Sequence, residues 1–126
     1  MLLVHASLRP SAIHGLGCFT DEPIAKGEVI WVFDPRVDIR LPVEELAALP
    51  QPIRAYYAKY GYAEMAEGRK VITLCGDHSK HMNHAAEPNV LSLSDRDVAA
   101  RDIAAGEELT CDYRTFDLDA TAKLAT

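Results

Sequence analysis

The chain has 126 residues, of which 48% are hydrophobic, 25% charged and 7% aromatic. That length suits one domain around one core, and the balance of apolar and charged residues excludes a disordered, collagen-like or disulfide-dense chain. The formal charge of −6 argues against duplex DNA, whose phosphates need a positive field, and favours a basic partner such as a lysine-bearing protein segment.

Cys18, Cys75 and Cys111 are odd in number, far apart and free of any C-x-x-C spacing. They read as reduced thiols in a cytosol-like compartment. Met1 to Ala6 is too short and too uncharged for a secretory signal, apolar runs are too short to span a bilayer, and no lipidation motif is visible. The expectation is one domain over residues 1–126, cytoplasmic (with a nuclear or host-nuclear place left open), with no membrane and no direct nucleic-acid partner.

In chain order, short segments rich in β-branched and aromatic residues stand between turn signals. They predict strands over Leu2–His5, Gly17–Thr20, Glu28–Phe33, Arg69–Leu74, Val90–Leu93, Val98–Arg101 and Glu108–Tyr113. The unbroken apolar run from Val29 to Phe33 predicts a strand covered on both faces. Helical signal is confined to the middle. Pro42 opens a run through Leu49 that has acids in its first turn and stops before Pro50. Ile53, Tyr56, Tyr57 and Tyr60 then recur at helical spacing ahead of Gly61, and this stripe is expected to pack in the core. The tail from Leu118 to Thr126 is small and polar, and is expected to fray. Ile24-Ala25-Lys26-Gly27-Glu28 is echoed by Ile103-Ala104-Ala105-Gly106-Glu107, each a glycine turn feeding a strand. The succession is not alternating βαβ, so a doubly wound sheet is excluded, and Gly15-Leu16-Gly17 is not a dinucleotide fingerprint.

Three stretches carry chemistry. Around Gly15-Leu16-Gly17, two glycines without Cβ atoms allow close backbone approach to a ligand, or simply a tight hairpin turn. From Gly76 to Asn89, His78, His81 and His84 follow Cys75, but the spacing lacks the paired ligands and intervening loop of established zinc sites. Asn83-His84 and Pro88-Asn89 supply short polar groups that either satisfy buried backbone or hold a polar cofactor. From Gly106 to Tyr113, a strand is expected with Leu109 and Cys111 on one face and Thr110 and Asp112 on the other.

In this order the three stretches resemble the SET domain of protein-lysine methyltransferases over about residues 5–116. Gly15-Leu16-Gly17 is similar to the family's early G-x-G. Asn83-His84 and Pro88-Asn89 match its N-H-S-C-x-P-N segment, and Ala100-Arg101-Asp102-Ile103 with Gly106 to Tyr113 matches its closing R-D-I-x-x-G-E-E-L-T-x-D-Y. The resemblance implies a mainly β fold of small antiparallel sheets with a short helical insert and a C-terminal pseudoknot, in which the asparagine–histidine and tyrosine segments cross. It implies S-adenosylmethionine as cofactor and a lysine of a basic protein as substrate. Gly15, Leu16 and Gly17 would contact the methionine moiety, and Asn83 and His84 the amino and adenine groups. Phe116 would wall the adenine, and Tyr113 would stand where the methyl passes, as the catalytic residue. An unperturbed phenol has a pKa of about 10, so Tyr113 is assigned positioning and electrostatic roles rather than that of a base.

The sequence also departs from the family. Lys80-His81 and Ala85-Ala86 replace arginine–phenylalanine and serine–cysteine, and no cysteine cluster follows Tyr113. No structural zinc is therefore expected, and the lysine channel must be closed by residues 114–126 or by a second subunit, which makes a homodimer an expectation. The same substitutions motivate two other readings. One is a SET-fold binding module without catalysis; the other is a metal site built from Cys75, His78, His81 and His84.

Overall fold

The computed structural model describes residues 1–125. Its strands are short, and they form four small sheets rather than one large one. β1 (Ala6–Pro10) and β2 (Leu16–Thr20) make an antiparallel hairpin. β3 (Val29–Val32), β8 (Val90–Ser92) and β9 (Arg96–Ala99) form a second sheet in the order β3-β9-β8. β4 (Ile39–Pro42), β5 (Tyr62–Ala66) and β6 (Arg69–Leu74) form a third in the order β4-β6-β5. The fourth is a parallel pair, β7 (Asn83–His84) beside β10 (Thr110–Cys111).

Among the described residues there are three α-helices, α1 (Val43–Ala47), α2 (Gln51–Tyr60) and α3 (Ala120–Leu124), and two short 3-10 turns, His78–His81 and Tyr113–Thr115. Pro42 and Pro50 stand immediately before the first two, where the missing N–H costs nothing. No helix of the described residues is long and apolar enough to cross a membrane.

The predicted strand over Arg69–Leu74 forms with those bounds, and Ile30 and Trp31 are both buried, so β3 is covered on its two faces as its apolar run implies. Elsewhere the structure differs. β1, β4 and β5 form where no strand is expected, and the strand expected over Val98–Arg101 lies earlier, at Arg96–Ala99. Leu2–His5 contributes only an isolated bridge, Leu2 to Trp31. Leu109, Thr110 and Cys111 are all buried, so β10 is enclosed on both faces. Of the helical stripe only Tyr57 joins the core; Ile53 and Tyr56 are exposed and Tyr60 is half-buried. α2 is long enough to offer one face to β6 but stands at the edge of the smaller of two cores, formed with Ala63, Ile72 and Leu74.

The echoed turns pair with each other. Ile24 and Ile103 exchange both backbone hydrogen bonds, at 2.9 and 2.8 Å, and both side chains lie in the larger core with Cys18, Ile30, Val90 and Leu109. Gly27 (φ 83°) and Gly106 (φ 88°) take the left-handed conformation that closes each turn. The repeat is therefore one turn used twice, back to back.

Over its described residues, 118–125, the tail is held against the fold; Thr126 lies outside the described residues. Asp117 is buried; its Oδ1 accepts from the amides of Ala63 (3.0 Å) and Asp119 (2.9 Å), and its Oδ2 pairs with Lys123 Nζ at 2.7 Å. The Leu118 amide donates to Ala63 O at 2.9 Å, so the tail is laced to β5. Asp117→Ala strands the buried Ala63 N–H and removes the carboxylate paired with the partly buried Lys123 ammonium. We expect a loss of about 2–4 kcal/mol in urea unfolding, with the m-value unchanged.

Candidate active site

The hairpin tip between β1 and β2 brings the first cluster together. Gly15 adopts φ 47°, and a Cβ at Gly17 would stand 2.4 Å from Glu108 Oε2, so any side chain there would displace the Glu108 carboxylate. The Glu108 carboxylate also accepts from Ser11 Oγ at 2.8 and 2.9 Å. Into this tip reaches Asn83 from β7. Its Nδ2 lies 3.1 Å from Ser11 Oγ, 3.0 Å from His14 O, 3.4 Å from Leu16 O and 2.9 Å from Glu108 Oε2. One amide group has only two hydrogens for these four oxygens. The ledge is thus rich in acceptors and carries a carboxylate, which is the chemistry that receives an ammonium.

Register brings Tyr113 to the other side of the same strand pair. Asn83 stands opposite Thr110 and His84 opposite Cys111. The Tyr113 amide donates to His84 Nδ1 at 3.1 Å, and the Tyr113 hydroxyl donates to Met82 O at 2.8 Å. Because an amide can only donate, His84 Nδ1 is the acceptor, and the 3.5 Å approach of Asp112 Oδ1 to that nitrogen is not a hydrogen bond in this tautomer. Burial pushes the Tyr113 phenol well above its ordinary pKa, with Cys111 and Asp117 adding to the shift. The phenol stays protonated at neutral pH. With its hydrogen committed to Met82, it meets a ligand as an acceptor.

Tyr113 lines a cavity of about 120 Å³ together with Trp31, Phe33, Tyr60, Tyr62 and Phe116. Phe116 packs edge-on against Tyr62, ring centroids 5.2 Å apart, and against Tyr113 at 6.0 Å. Of the expected site residues, Gly15, Leu16, Gly17 and Asn83 therefore gather at the hairpin tip and Tyr113 and Phe116 at the cavity, with His84 joining the two through the Tyr113 amide. Residues of the tail, Phe116, Asp117 and Lys123, supply part of the cavity wall. Among the described residues no cluster of three His, Cys, Asp or Glu side chains could hold a metal ion.

Sequence reasoning missed Glu108 as the floor of the ledge and Trp31, Tyr62 and Asp97 as cavity wall. Glu108 is visible within its motif, but its reach to Ser11 and Asn83 depends on long-range packing. Asp97 sits in a polar stretch that looks like a turn. It is only partly exposed, and burial raises its carboxyl to about 6, against a smaller opposing effect from the Ser92 hydroxyl.

The SET domain family matches residues 15–114, and the chain belongs to that family. It is 30% identical to the Arabidopsis thaliana histone-lysine N-methyltransferase ATX2 over 122 aligned residues, covering 86% of this chain and 11% of that protein. The Chaetomium thermophilum Polycomb Repressive Complex 2 bound to GSK126 superposes with a TM-score of 0.70 at 24% identity, covering 97% of this chain and 17% of that one. The same complex in an autoinhibited conformation bound to S-adenosylmethionine gives 0.69 at 22%, covering 97% and 16%. The chain thus spans a small part of each of these three relatives. The SET fold of small sheets, including the crossing of the asparagine–histidine and tyrosine segments, is the one that the motifs imply.

Burial pushes the Cys18 and Cys75 thiols up to about 12 and raises Cys111 further. Thiolate is the reactive form. The native protein should therefore leave all its thiols unreacted toward Ellman's reagent at a pH of about 8, and release all of them in denaturant. For Asp97 the linkage runs the other way from an ordinary paired carboxylate. Its folded-state pKa lies above the ordinary value, so its contribution is fully present at low pH and is lost as pH rises through about 6. Asp97→Asn should then be more stable than the parent by about 1–2 kcal/mol near pH 8, after allowance for its partial exposure, with the difference vanishing near pH 4, as read by urea unfolding at both.

Proposed function

We propose that this chain transfers a methyl group from S-adenosylmethionine to the side-chain amine of a lysine in a basic protein. The observation that carries the reading is the back-to-back placement of two unlike sites across the β7–β10 pair: an acceptor-rich ledge at Asn83 and an aromatic cavity at Tyr113. When bound, S-adenosylmethionine supplies a methyl carbon already activated by a sulfonium. The excess of acceptors on the ledge fits the ammonium of its methionine part.

The chain's own residues then have defined tasks. Asn83, the carbonyls of His14 and Leu16, and the Glu108 carboxylate hold the ammonium end. Gly17 keeps the backbone close by having no side chain to clash with Glu108. His84, fixed by the Tyr113 amide, aligns the tyrosine backbone with the ledge. Tyr113 presents its oxygen as an acceptor at the junction, where it favours positive charge and orients the attacking amine. Trp31, Tyr62 and Phe116 wall the cavity, and we assign Phe116 to this wall in place of the adenine contact that the resemblance implies. A free lysine has a pKa of about 10.4; enclosure by aromatic rings beside a second positive charge favours its neutral, nucleophilic form. Holding amine and methyl in line removes an entropic barrier worth about 7–11 kcal/mol in the best intramolecular cases.

Tyr113→Phe keeps the ring and removes the oxygen. It should lower methyl transfer onto purified core histones and ribosomal proteins by about a hundredfold, read with radiolabelled cofactor. Cofactor affinity by calorimetry should change no more than about threefold. Turnover equal to the parent's would remove Tyr113 from the reaction.

A further inference from the structure

The wall of the cavity carries four carboxylates: Glu64, Asp95, Asp97 and Asp117. Glu64 is paired with Arg40 at 3.3 Å, Asp95 with Arg96 at 2.9 Å, and Asp117 with Lys123 at 2.7 Å. Among the described residues Asp97 has no lysine or arginine paired to it. It lies in the middle strand of its sheet, directly opposite Trp31 on β3 and Ser92 on β8. Directly opposed residues project from the same face, so Trp31, Asp97 and Ser92 form one cross-strand row, and all three line the cavity. Trp31 is 7% exposed, and its Nε1 is the one buried side-chain polar atom among the described residues without a hydrogen-bond partner. A partly buried carboxylate without a counter-ion beside an unpartnered indole N–H is a costly arrangement for a wall that does nothing.

We propose that Asp97 receives the ammonium of the incoming lysine, at the row formed with Trp31 and Ser92. The inference rests on the reading of the cavity as the amine site, and it names the group that draws the substrate in as a cation; the proton would leave to solvent only afterwards, once the cofactor's positive charge beside the amine outweighs the hold of Asp97 on the charged form. The need for such a group follows from the rest of the wall. Lys59 and Lys80 lie near the faces of Tyr60 and Tyr56, and both line the cavity, so the approach carries positive charge that opposes a lysine. The other acids are already neutralised by their partners. Asp97 faces Ser92 and Trp31 across its sheet and lies within electrostatic reach of Tyr62, Cys111 and the N-terminal ammonium. Of these, the two protonated side chains are neutral at working pH, and the N-terminal ammonium is itself paired with Asp38 at 2.7 Å. An ammonium entering the cavity therefore finds one carboxylate whose charge is unspent. Lys123 shows the same chemistry within the chain: its Nζ takes a carboxylate oxygen of Asp117 and the carbonyl of Gly61, with the Tyr113 ring centroid 5.9 Å away.

Trp31 is the protein's single tryptophan, so its indole N–H signal and its fluorescence report on this row alone. The test titrates n-butylammonium, which reproduces the lysine side chain from Cβ outward, and n-butanol, its uncharged analogue, into the full chain and into Asp97→Asn while following Trp31. The parent should bind butylammonium at least about tenfold more tightly than butanol, and Asp97→Asn should lose that preference while keeping its butanol affinity. Thermal unfolding of the variant at or above the parent's temperature confirms that it is folded. Equal butylammonium affinity in parent and variant, or no preference in the parent, overturns the proposal. A parent that shows the preference yet transfers no methyl group to any basic protein supports the ammonium site and sinks the transferase reading alone.

Discussion

Asn89 is the residue on which the arrangement of the site depends. It is 4% exposed and follows a proline, and every polar group it has is spent on a neighbouring segment. Its Oδ1 accepts from the Thr110 amide at 2.8 Å, its Nδ2 donates to Glu108 O at 2.8 Å, and its own amide reaches Thr110 Oγ1 at 3.2 Å. Its carbonyl accepts from the Ala100 amide at 2.9 Å. β7 and β10 are two residues each, too short to hold themselves together as a parallel pair. Irregular backbone can be buried only if its N–H and C=O groups find partners. Asn89 supplies them with a side chain that mimics a peptide, and so fixes the Glu108–Cys111 segment where Asn83 and His84 can reach it.

That fixed crossing explains why two sites of opposite character meet at one place. Adjacent residues of a strand face opposite sides. Asn83 therefore turns to the hairpin tip, while its neighbour His84 turns to the Tyr113 amide. The same alternation places the Glu108 carboxylate against Ser11 and Asn83, and the Tyr113 ring in the aromatic cavity. Neither site needs a large sheet or a long helix behind it. Each needs the register of the two short strands, and that register is held by side chains as much as by the backbone ladder.

The parts of this that the sequence makes legible are those with local causes. Arg69–Leu74 reads as a strand because Val71, Ile72 and Thr73 are β-branched and sit between turn signals, and the echoed glycine turns read as turns because only the left-handed conformation closes them. Asn83, His84 and Tyr113 are legible through their motifs, and those motifs do converge. β1, β4 and β5 are missed because they carry proline, arginine or alanine in place of a β-branched run, and exist only because a neighbouring strand pairs with them. The tail is missed because its order comes from one buried carboxylate, Asp117, reaching a strand far behind it in the chain. The Tyr56 and Ile53 positions mislead for the opposite reason: their helical spacing is real, but the core that α2 meets is narrow enough to bury Tyr57 alone. Long-range register, then, decides what composition and periodicity cannot.

The same distinction bears on the cavity's electrostatics. A carboxylate in a partly dry wall raises the energy of the folded state whenever it is ionised, and replacing Asp97 by any uncharged residue of similar size would relieve that cost. Nothing in the local sequence requires the acid: β9 would pair with β3 and β8 as well with asparagine at this position, since the ladder uses backbone groups. Its three fellow acids on the wall each have a cation that offsets their desolvation, and one of those cations lies on another strand, Arg40 of β4 with Glu64 of β5. The fold is thus able to provide counter-ions across segments and provides none here. A charge kept at a net cost, in a wall where equivalent charges are balanced, is what the proposed ammonium site requires: its compensation would be a cation that enters the cavity from outside the folded chain.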